Sequence, residues 1–345
     1  MAKYLITLTP QEPWFFGGER VFERPEGEKS SRPKTKTAGY FIRSEDTPSQ
    51  TTLFGALRYL MHSTKDWQPD ASVGPASYDL THDPKKPQKF GNITSISPLY
   101  LLEGKDRFYI PTPMDHKIPE DRPDVTLYSP FVSYPTEPIH TNHGPRCYPK
   151  GYDEKQGSGG GWLCLKDRKV YTDLFEGVEQ VGVAVKESQD GFFKRECKRF
   201  KYDGFCFAFF AEFKEEYKGW HGPQQVFLGQ RRCAFSAACK EQNEPKFTLD
   251  HNLAYAQSPI YIADPQKLYG CCSFVCVKQI MGYRKFTTSG RGFHVAPELL
   301  QLIAPGSVFL LKDPKAKEAF EDLIKNEQAE TAGFNKVIYG KELSE

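Results

Sequence analysis

The sequence predicts an α+β fold, and three patterns predict it. Each half of the chain alternates short β-forming runs with one or two helices. Short connections such as Gly104-Lys105-Asp106 favour antiparallel strand pairing. Between the halves lies a stretch dense in Pro and Gly, 111–161, ending in Gly157-Ser158-Gly159-Gly160-Gly161. The simplest motif that satisfies the alternation is the ferredoxin-like β-α-β-β-α-β unit, once in each half, with antiparallel sheets and long loop insertions. The expected domains are therefore 1–161, carrying the insertion, and 162–345, with a glycine-rich loop near its end.

Tyr4-Leu5-Ile6-Thr7-Leu8 alternates and is rich in β-formers, so it reads as the first strand, ended by Pro10 and Pro13. Trp14-Phe15-Phe16 then runs into a turn, Gly17-Gly18-Glu19-Arg20, whose glycines permit close backbone approach. The charged, Pro-containing segment 23–36 reads as a mobile loop, and Phe41-Ile42 as a short strand. A helix starts at Pro48: Ser49, Thr51 and Thr52 can cap its free N–H groups, and Leu53, Ala56, Leu57 and Leu60 give one buried face. Trp67 to Phe90 reads as loop, and Ile93–Leu102 and Phe108–Ile110 as strands. In the second half, Val178–Val185 is a strand, and Phe192–Phe200 with Gly204–Phe213 reads as a hairpin or meander. Gln225–Leu228, Leu268–Val277 and Ser307–Leu311 read as further strands, Pro297–Ile303 as a short helix and Lys315–Asn326 as an amphipathic helix. The chain closes on Gly333-Phe334-Asn335-Lys336 and a last strand.

Composition excludes some classes. Among the 345 residues, Lys+Arg is 46 and Asp+Glu 44, so a basic surface for an RNA partner has to be local. Aromatics make up 14%, enough to fill a core or to stack on bases. Nine cysteines with no C-x-x-C pair argue against a disulfide framework and for a reducing cytosol, so a cytoplasmic location is expected. The N-terminus is too short and polar for a signal peptide, and no apolar run approaches the ~20 residues of a membrane span.

Several segments can carry chemistry. Gly55 sits inside the first helix, where glycine costs about 1 kcal/mol against alanine; it suggests a close neighbour, either a strand or a nucleic-acid backbone. Arg58 lies three residues on, on the same side. Lys194, Arg195, Lys198, Arg199 and Lys201, interleaved with aromatics, suit single-stranded RNA; the plain alternative is a solvated strand face. Gly229-Gln230-Arg231-Arg232 can present guanidinium groups to phosphates, and Ser289-Gly290-Arg291-Gly292 repeats the idea. His140, His143 and Cys147 have zinc-like spacing but no clear fourth ligand, so no metal or other cofactor is expected. His62, one helical turn past Arg58, and His116, beside Asp115, are the candidate bases for RNA cleavage.

Four motifs give the chain a resemblance to the RAMP proteins of type III CRISPR effector complexes, and most of all to the third-subunit family of the type III-B (Cmr) complex. Phe15-Phe16-Gly17-Gly18-Glu19-Arg20-Val21-Phe22 is similar to the family's aromatic–Asp-Gly-Arg-Pro-Phe turn, with Gly17 in place of its Asp and Val21 in place of its Pro. Pro48-Ser49-Gln50-Thr51-Thr52-Leu53-Phe54-Gly55-Ala56-Leu57-Arg58 is similar to its proline–Ser-Thr-x-x-Gly-Ala-Leu-Arg helix, and Gly229-Gln230-Arg231-Arg232 to its Gly-Gly-x-Arg turn. Gly306-Ser307-Val308-Phe309 and Gly333-Phe334-Asn335 are similar to its C-terminal strand and glycine-rich loop.

The resemblance implies two ferredoxin-like (RRM-like) domains and a non-catalytic subunit. Such a subunit holds the 5′ tag of the CRISPR RNA and docks the large polymerase-like subunit beside other RAMP subunits, meeting target RNA only indirectly. The RNA-binding residues it singles out are Phe16, Gly17, Gly18 and Arg20 in the first turn; Gln50, Thr52, Gly55 and Arg58 on the helix; and Gly229, Arg231, Arg232, Arg291, Asn335 and Lys336 in the second half. Glycines would let backbone amides approach phosphates, arginines would bind phosphates or base edges, and Phe16 would stack on a base or brace its turn. Two alternatives stand beside this: a metal-independent endoribonuclease of the same fold, and a structural scaffold.

Overall fold

A computed structural model describes residues 3–22, 40–62, 90, 92–114, 125–127, 138–142, 144–147, 161–186, 189–214, 222–229, 232–247, 253–283, 286–289, 292–295 and 299–341. β1 (Lys3–Pro10), β2 (Phe16–Phe22) and β3 (Tyr40–Glu45) precede α1 (Gln50–His62). β4 (Ile93–Ile96), β5 (Tyr100–Glu103) and β6 (Arg107–Pro111) follow. β7 (Val125–Leu127), β8 (Pro138–Thr141) and β9 (Gly144–Cys147) lie in the stretch expected to be irregular. Then come β10 (Trp162–Cys164), β11 (Lys169–Tyr171), β12 (Phe175–Lys186), β13 (Gln189–Phe200), β14 (Phe205–Phe213), β15 (Gln224–Leu228) and β16 (Cys233–Glu241). The last third holds β17 (Leu253–Ala256), β18 (Ile260–Tyr261), α2 (Leu268–Cys271), β19 (Cys272–Cys276) and β20 (Ile280–Tyr283). It continues with β21 (Phe286–Ser289), β22 (Gly292–Val295), β23 (Leu300–Ile303), β24 (Val308–Leu311), α3 (Ala316–Ile324), α4 (Glu327–Thr331) and β25 (Val337–Tyr339). The expected loops at 23–36 and 67–89 lie outside the described residues.

The fold is mixed α+β with mainly antiparallel sheets, as the alternation predicts. Its centre is a ten-stranded sheet with β14 between β1 and β5. Phe205-Cys206-Phe207-Ala208-Phe209-Phe210-Ala211 is buried throughout. Such a continuous apolar run is what a strand covered on both faces requires. Alternate residues serve two cores. Phe205, Phe207, Phe209 and Ala211 pack with Ile6, Leu8, Val226, Leu228 and Phe235 under the apolar face of α1, Leu53, Leu57 and Leu60. Cys206, Ala208 and Phe210 face the other way, against Leu253, Tyr255, Val308 and Leu310 of a four-stranded sheet, β19-β24-β17-β25. The far side of that sheet is closed by Phe320 and Ile324 of α3 with Leu268 and Cys271 of α2. The layers are therefore helix, sheet, sheet, helix. The ten-stranded sheet takes strands from both sides of residue 161, whereas the four-stranded sheet comes wholly from the last third.

A third sheet, β12-β13-β3-β2, is fastened to the first by Trp14. Its backbone exchanges hydrogen bonds with Lys198 at 2.8 and 2.9 Å. Its ring is fully buried among Phe16, Phe175, Phe200, Phe207 and Phe235. Edge-to-face aromatic pairs of this kind add about 0.5–1.5 kcal/mol each beyond area burial. The indole Nε1 donates to the Asp46 carbonyl at 3.1 Å, so no polar atom of the ring is left buried and unmet.

Four expectations need correction. Phe192–Phe200 and Gly204–Phe213 do not form a hairpin: β13 pairs with β12 and β3, while β14 pairs with β1, β4 and β5. The chain crosses between sheets at Lys201–Gly204, because Phe200 and Phe205 both fill the core around Trp14. Leu268–Val277 is a helical turn before a strand. Leu300–Ile303 is a strand, not a helix, held between β18 and β20. Finally, Phe16–Phe22 is a strand paired to β3 rather than a turn. One extra residue between Gly17 and Arg20, opposite Ser44 and Ile42, makes it a bulged edge.

Candidate nucleic-acid interface

The bulge in β2 is anchored at its entry, on Phe16. The Phe16 N–H donates to Ser44 Oγ at 2.9 Å, and the single Ser44 hydroxyl proton has the Glu45 carbonyl at 2.9 Å as its nearer acceptor, with the Phe16 carbonyl at 3.3 Å. The Phe16 ring is buried, stacked on Phe235 with centroids 6.0 Å apart, so within the fold it braces the bulge. Gly17 is exposed. Gly18 and Arg20 follow on the bulged strand, Arg20 opposite Ile42.

The Gly229 turn packs on the entry to this bulge. Gly229 has φ +77°, and a β-carbon there would fall on the Phe15 carbonyl oxygen, with the carbonyl carbon at 3.2 Å and Phe16 Cδ1 at 3.4 Å. Only glycine meets both demands. The Arg232 N–H closes the turn onto the Gly229 carbonyl at 3.2 Å, and Arg232 itself is exposed at φ 54°. Arg195 joins the same place from β13. Its guanidinium lies 5.4 Å from the centre of the Phe15 ring, and its Nε donates to Gln180 Oε1 at 3.0 Å. Two of the sequence motifs, far apart in the chain, are thus in backbone contact. Arg231 and Arg291 lie outside the described residues.

α1 lies over β15, the strand that leads into Gly229. Its start is capped as expected: the Thr52 N–H donates to the Ser49 carbonyl at 2.9 Å and to Ser49 Oγ at 3.3 Å. Arg58 is half-buried, and burial pulls its guanidinium below the ordinary value. Gly55 is exposed, and a β-carbon there would meet nothing within 4 Å. Among the described residues, then, no strand is the reason for that glycine. His62 ends the helix, and His116 and His143 lie outside the described residues.

The C-terminal loop meets α1 at its first residue. Gln50 is buried and donates to the Ser97 carbonyl at 2.8 Å. Gly333, at φ +83°, lies directly against that amide. Two residues on, Asn335 is buried at φ 53°. Its Oδ1 accepts from the Tyr261 N–H at 2.8 Å, and its Nδ2 donates to the carbonyls of Ile324 at 2.7 Å and Tyr261 at 3.2 Å. Those contacts occupy the whole amide, so within the fold Asn335 holds the loop. Lys336 is half-buried, its N–H donating to Ser258 Oγ at 2.9 Å.

The basic stretch of β13 is largely neutralised from within. Lys198 sits 2.8 Å from Glu196 and 3.4 Å from Asp46. Burial works against the Lys198 charge, yet those carboxylates outweigh it and raise the ammonium above its ordinary value. Arg199 pairs with Glu176 and Lys201 with Asp173. The solvated strand face is the reading this geometry favours for these residues, and the arginine that reaches the two glycine motifs is Arg195. Sequence reasoning grouped Arg195 with its neighbours; the Phe15 ring across from it was the missing signal. Among the described residues no group of three or more His, Cys, Asp or Glu is placed to hold a metal, and no helix is long and apolar enough to cross a membrane.

Residues 6–143 match the family of CRISPR-associated proteins designated Cas_Cmr3. The fold is shared with a chain of the type III-B Cmr-beta complex bound to cognate target RNA and AMPPnP, at 14% identity and TM-score 0.51, over 97% of this chain and 95% of that one. A chain of the same complex bound to cognate target RNA matches equally, at 14% identity and TM-score 0.51, over 98% and 96%. No curated protein sequence matches. The resemblance read from the four motifs, to a type III-B Cmr CRISPR-associated protein, is borne out.

Proposed function

We propose that this chain is a non-catalytic, RNA-binding subunit of a type III-B CRISPR effector complex. In this reading it holds the 5′ tag end of the CRISPR RNA and docks the large polymerase-like subunit beside other RAMP subunits. The observation that carries the reading is the seating of the Gly229 turn on the Phe15 carbonyl. It joins a bulged, glycine-rich edge to an exposed arginine turn, with α1 lying over the strand that leads into that turn. Backbone N–H groups at glycines and guanidinium groups together suit phosphates. The family match over residues 6–143 and the shared fold with a chain of an RNA-bound complex support the same partner.

The test is filter binding of CRISPR RNA with and without its 5′ tag. The wild-type chain should prefer the tagged RNA. The double variant Arg58→Ala, Arg231→Ala should bind it more weakly, with unchanged circular dichroism. Two lost single-strand phosphate contacts should also flatten the log–log salt dependence by about 1.4. Equal affinity of variant and wild type would overturn the site assignment. Co-purification with the large subunit tests the docking role.

A further inference from the structure

We propose that Phe227 and Arg232 form a stacking platform for one unpaired nucleobase at the open edge of the ten-stranded sheet. The inference rests on the RNA-binding reading above and adds a residue, Phe227, that the motifs do not contain. β15 is the outermost strand of its sheet. Its residues alternate as a half-covered strand should: Val226 and Leu228 are buried in the core under α1, whereas Phe227 is 42% exposed on the opposite face. Among the described residues, the core on that opposite face is built from β1, β5, β6, β10, β11 and β14 of this sheet and takes no residue from β15 or β16. Around Phe227 the neighbours are small or polar: its cross-strand partner is Ala234, Gln225 and Ala238 are exposed, and Ser236 is half-buried. Among the described residues the ring has no core to fill.

Arg232 makes the ring more than a stray apolar residue. The tight turn Gly229–Arg232 puts Arg232 in a left-handed conformation that ordinary side chains adopt only at a cost. There its guanidinium carbon lies 5.5 Å from the centre of the Phe227 ring. The hairpin is further fixed by Glu12, whose Oε1 accepts the Ala234 N–H at 2.8 Å. A flat ring beside a flat cation, both exposed, is the pairing that receives an unstacked base. The ring offers a π face, and the guanidinium offers a second plane and a charge for the adjoining phosphate. Stacking reads no base edge, so the platform is expected to tolerate any base. The Gly229 turn already touches Phe15 and Phe16 at the entry to the bulge, so the platform extends the candidate interface outward along the sheet edge.

The test uses the full chain and a short single-stranded RNA carrying 2-aminopurine at one position at a time. With the wild type, one position should show quenched 2-aminopurine fluorescence. Phe227→Ala should relieve that quenching and weaken binding by roughly 5- to 150-fold, the effect of losing one stacked base. Phe227→Trp should retain affinity, and its new indole should be quenched by RNA. Phe227→Ala keeps the charge, so its salt dependence should match the wild type, whereas Arg232→Ala should flatten it. If the wild type binds and Phe227→Ala binds equally with quenching intact, the platform is wrong while RNA binding stands. If the wild type binds no RNA at all, both fall together.

Discussion

The Gln50 side-chain amide occupies the space a β-carbon on Gly333 would need, with Gln50 Cδ at 2.9 Å and the Ser97 carbonyl at 3.0 Å from that position. The first residue of α1 and the C-terminal glycine loop are therefore one joint, closed by the Gln50 to Ser97 hydrogen bond of 2.8 Å. Gly333→Ala has to bear a left-handed alanine, about 1–2 kcal/mol. It also has to push Gln50 off its buried acceptor, about 1–3 kcal/mol more. In Gln50→Ala the hydrogen bond is already gone, so adding Gly333→Ala should cost only the backbone part and the tight contact with the Ser97 carbonyl. Urea unfolding of the two single variants and the double should show a coupling of about 1 kcal/mol or more. Additive values would mean the two residues do not share a joint.

Gly229 and Gly204 separate two reasons for glycine. Both are left-handed, at φ +77° and +85°, but a β-carbon at Gly204 meets nothing within 4 Å while at Gly229 it runs into the Phe15 backbone. Gly204→Ala should cost about 1–2 kcal/mol. Gly229→Ala should cost clearly more, since a carbonyl cannot swing aside as a side chain can, and should also displace the bulge. Equal losses in thermal unfolding would show that the Phe15 contact is loose.

Legibility in the sequence followed the range of the interaction. The cap of α1 was readable because Ser49 acts on Thr52, and Gly204–Phe213 was readable as a strand because a run of aromatic β-formers is a local signal. Its partners were not, since β14 pairs with β1 and β5 from the other half. Leu299, Leu302 and Ile303 stand at helical spacing, yet pairing with β18 and β20 overrides that pattern. α4 did leave a local signal: Asn326 Oδ1 accepts the Ala329 N–H at 3.0 Å, an N-cap, and Glu330 reaches back to the Asn326 N–H at 3.2 Å. At the candidate interface the motifs marked which glycines matter. Only the structure shows that two of them, Gly229 and Gly333, are fixed by residues of the first two motifs.

Gly55 is an exposed helix-interior glycine with open space around it. For the isolated chain, Gly55→Ala should therefore stabilise by about 0.8–1.0 kcal/mol through helix propensity alone, read as a rise in Tm. If an RNA backbone runs against α1, the same variant should bind tagged CRISPR RNA more weakly despite its greater stability. Raised Tm with unchanged affinity would remove Gly55 from the interface, and a lowered Tm would contradict the open space.

Asn335→Asp tests how completely the loop depends on one buried amide. The carboxylate keeps the acceptor for the Tyr261 N–H but loses the donors to the Ile324 and Tyr261 carbonyls, and its charge then faces two carbonyl oxygens. Burial and those dipoles both disfavour the ionised form, so the folded-state pKa should rise above the unfolded value of about 3.9. A carboxyl with a raised folded pKa is least harmful when protonated in both states, below that unfolded value. As pH rises from there to the folded pKa, the unfolded chain ionises first and stability falls, by about 1.4 kcal/mol for every tenfold separation between the two acid constants. Above the folded pKa the loss levels off. Relative to wild type, Asn335→Asp should therefore be nearly tolerated near pH 4 and severely destabilised near pH 7 in denaturant titrations. A loss independent of pH would mean that the carboxylate escapes to solvent and that Asn335 is not the pin of this loop.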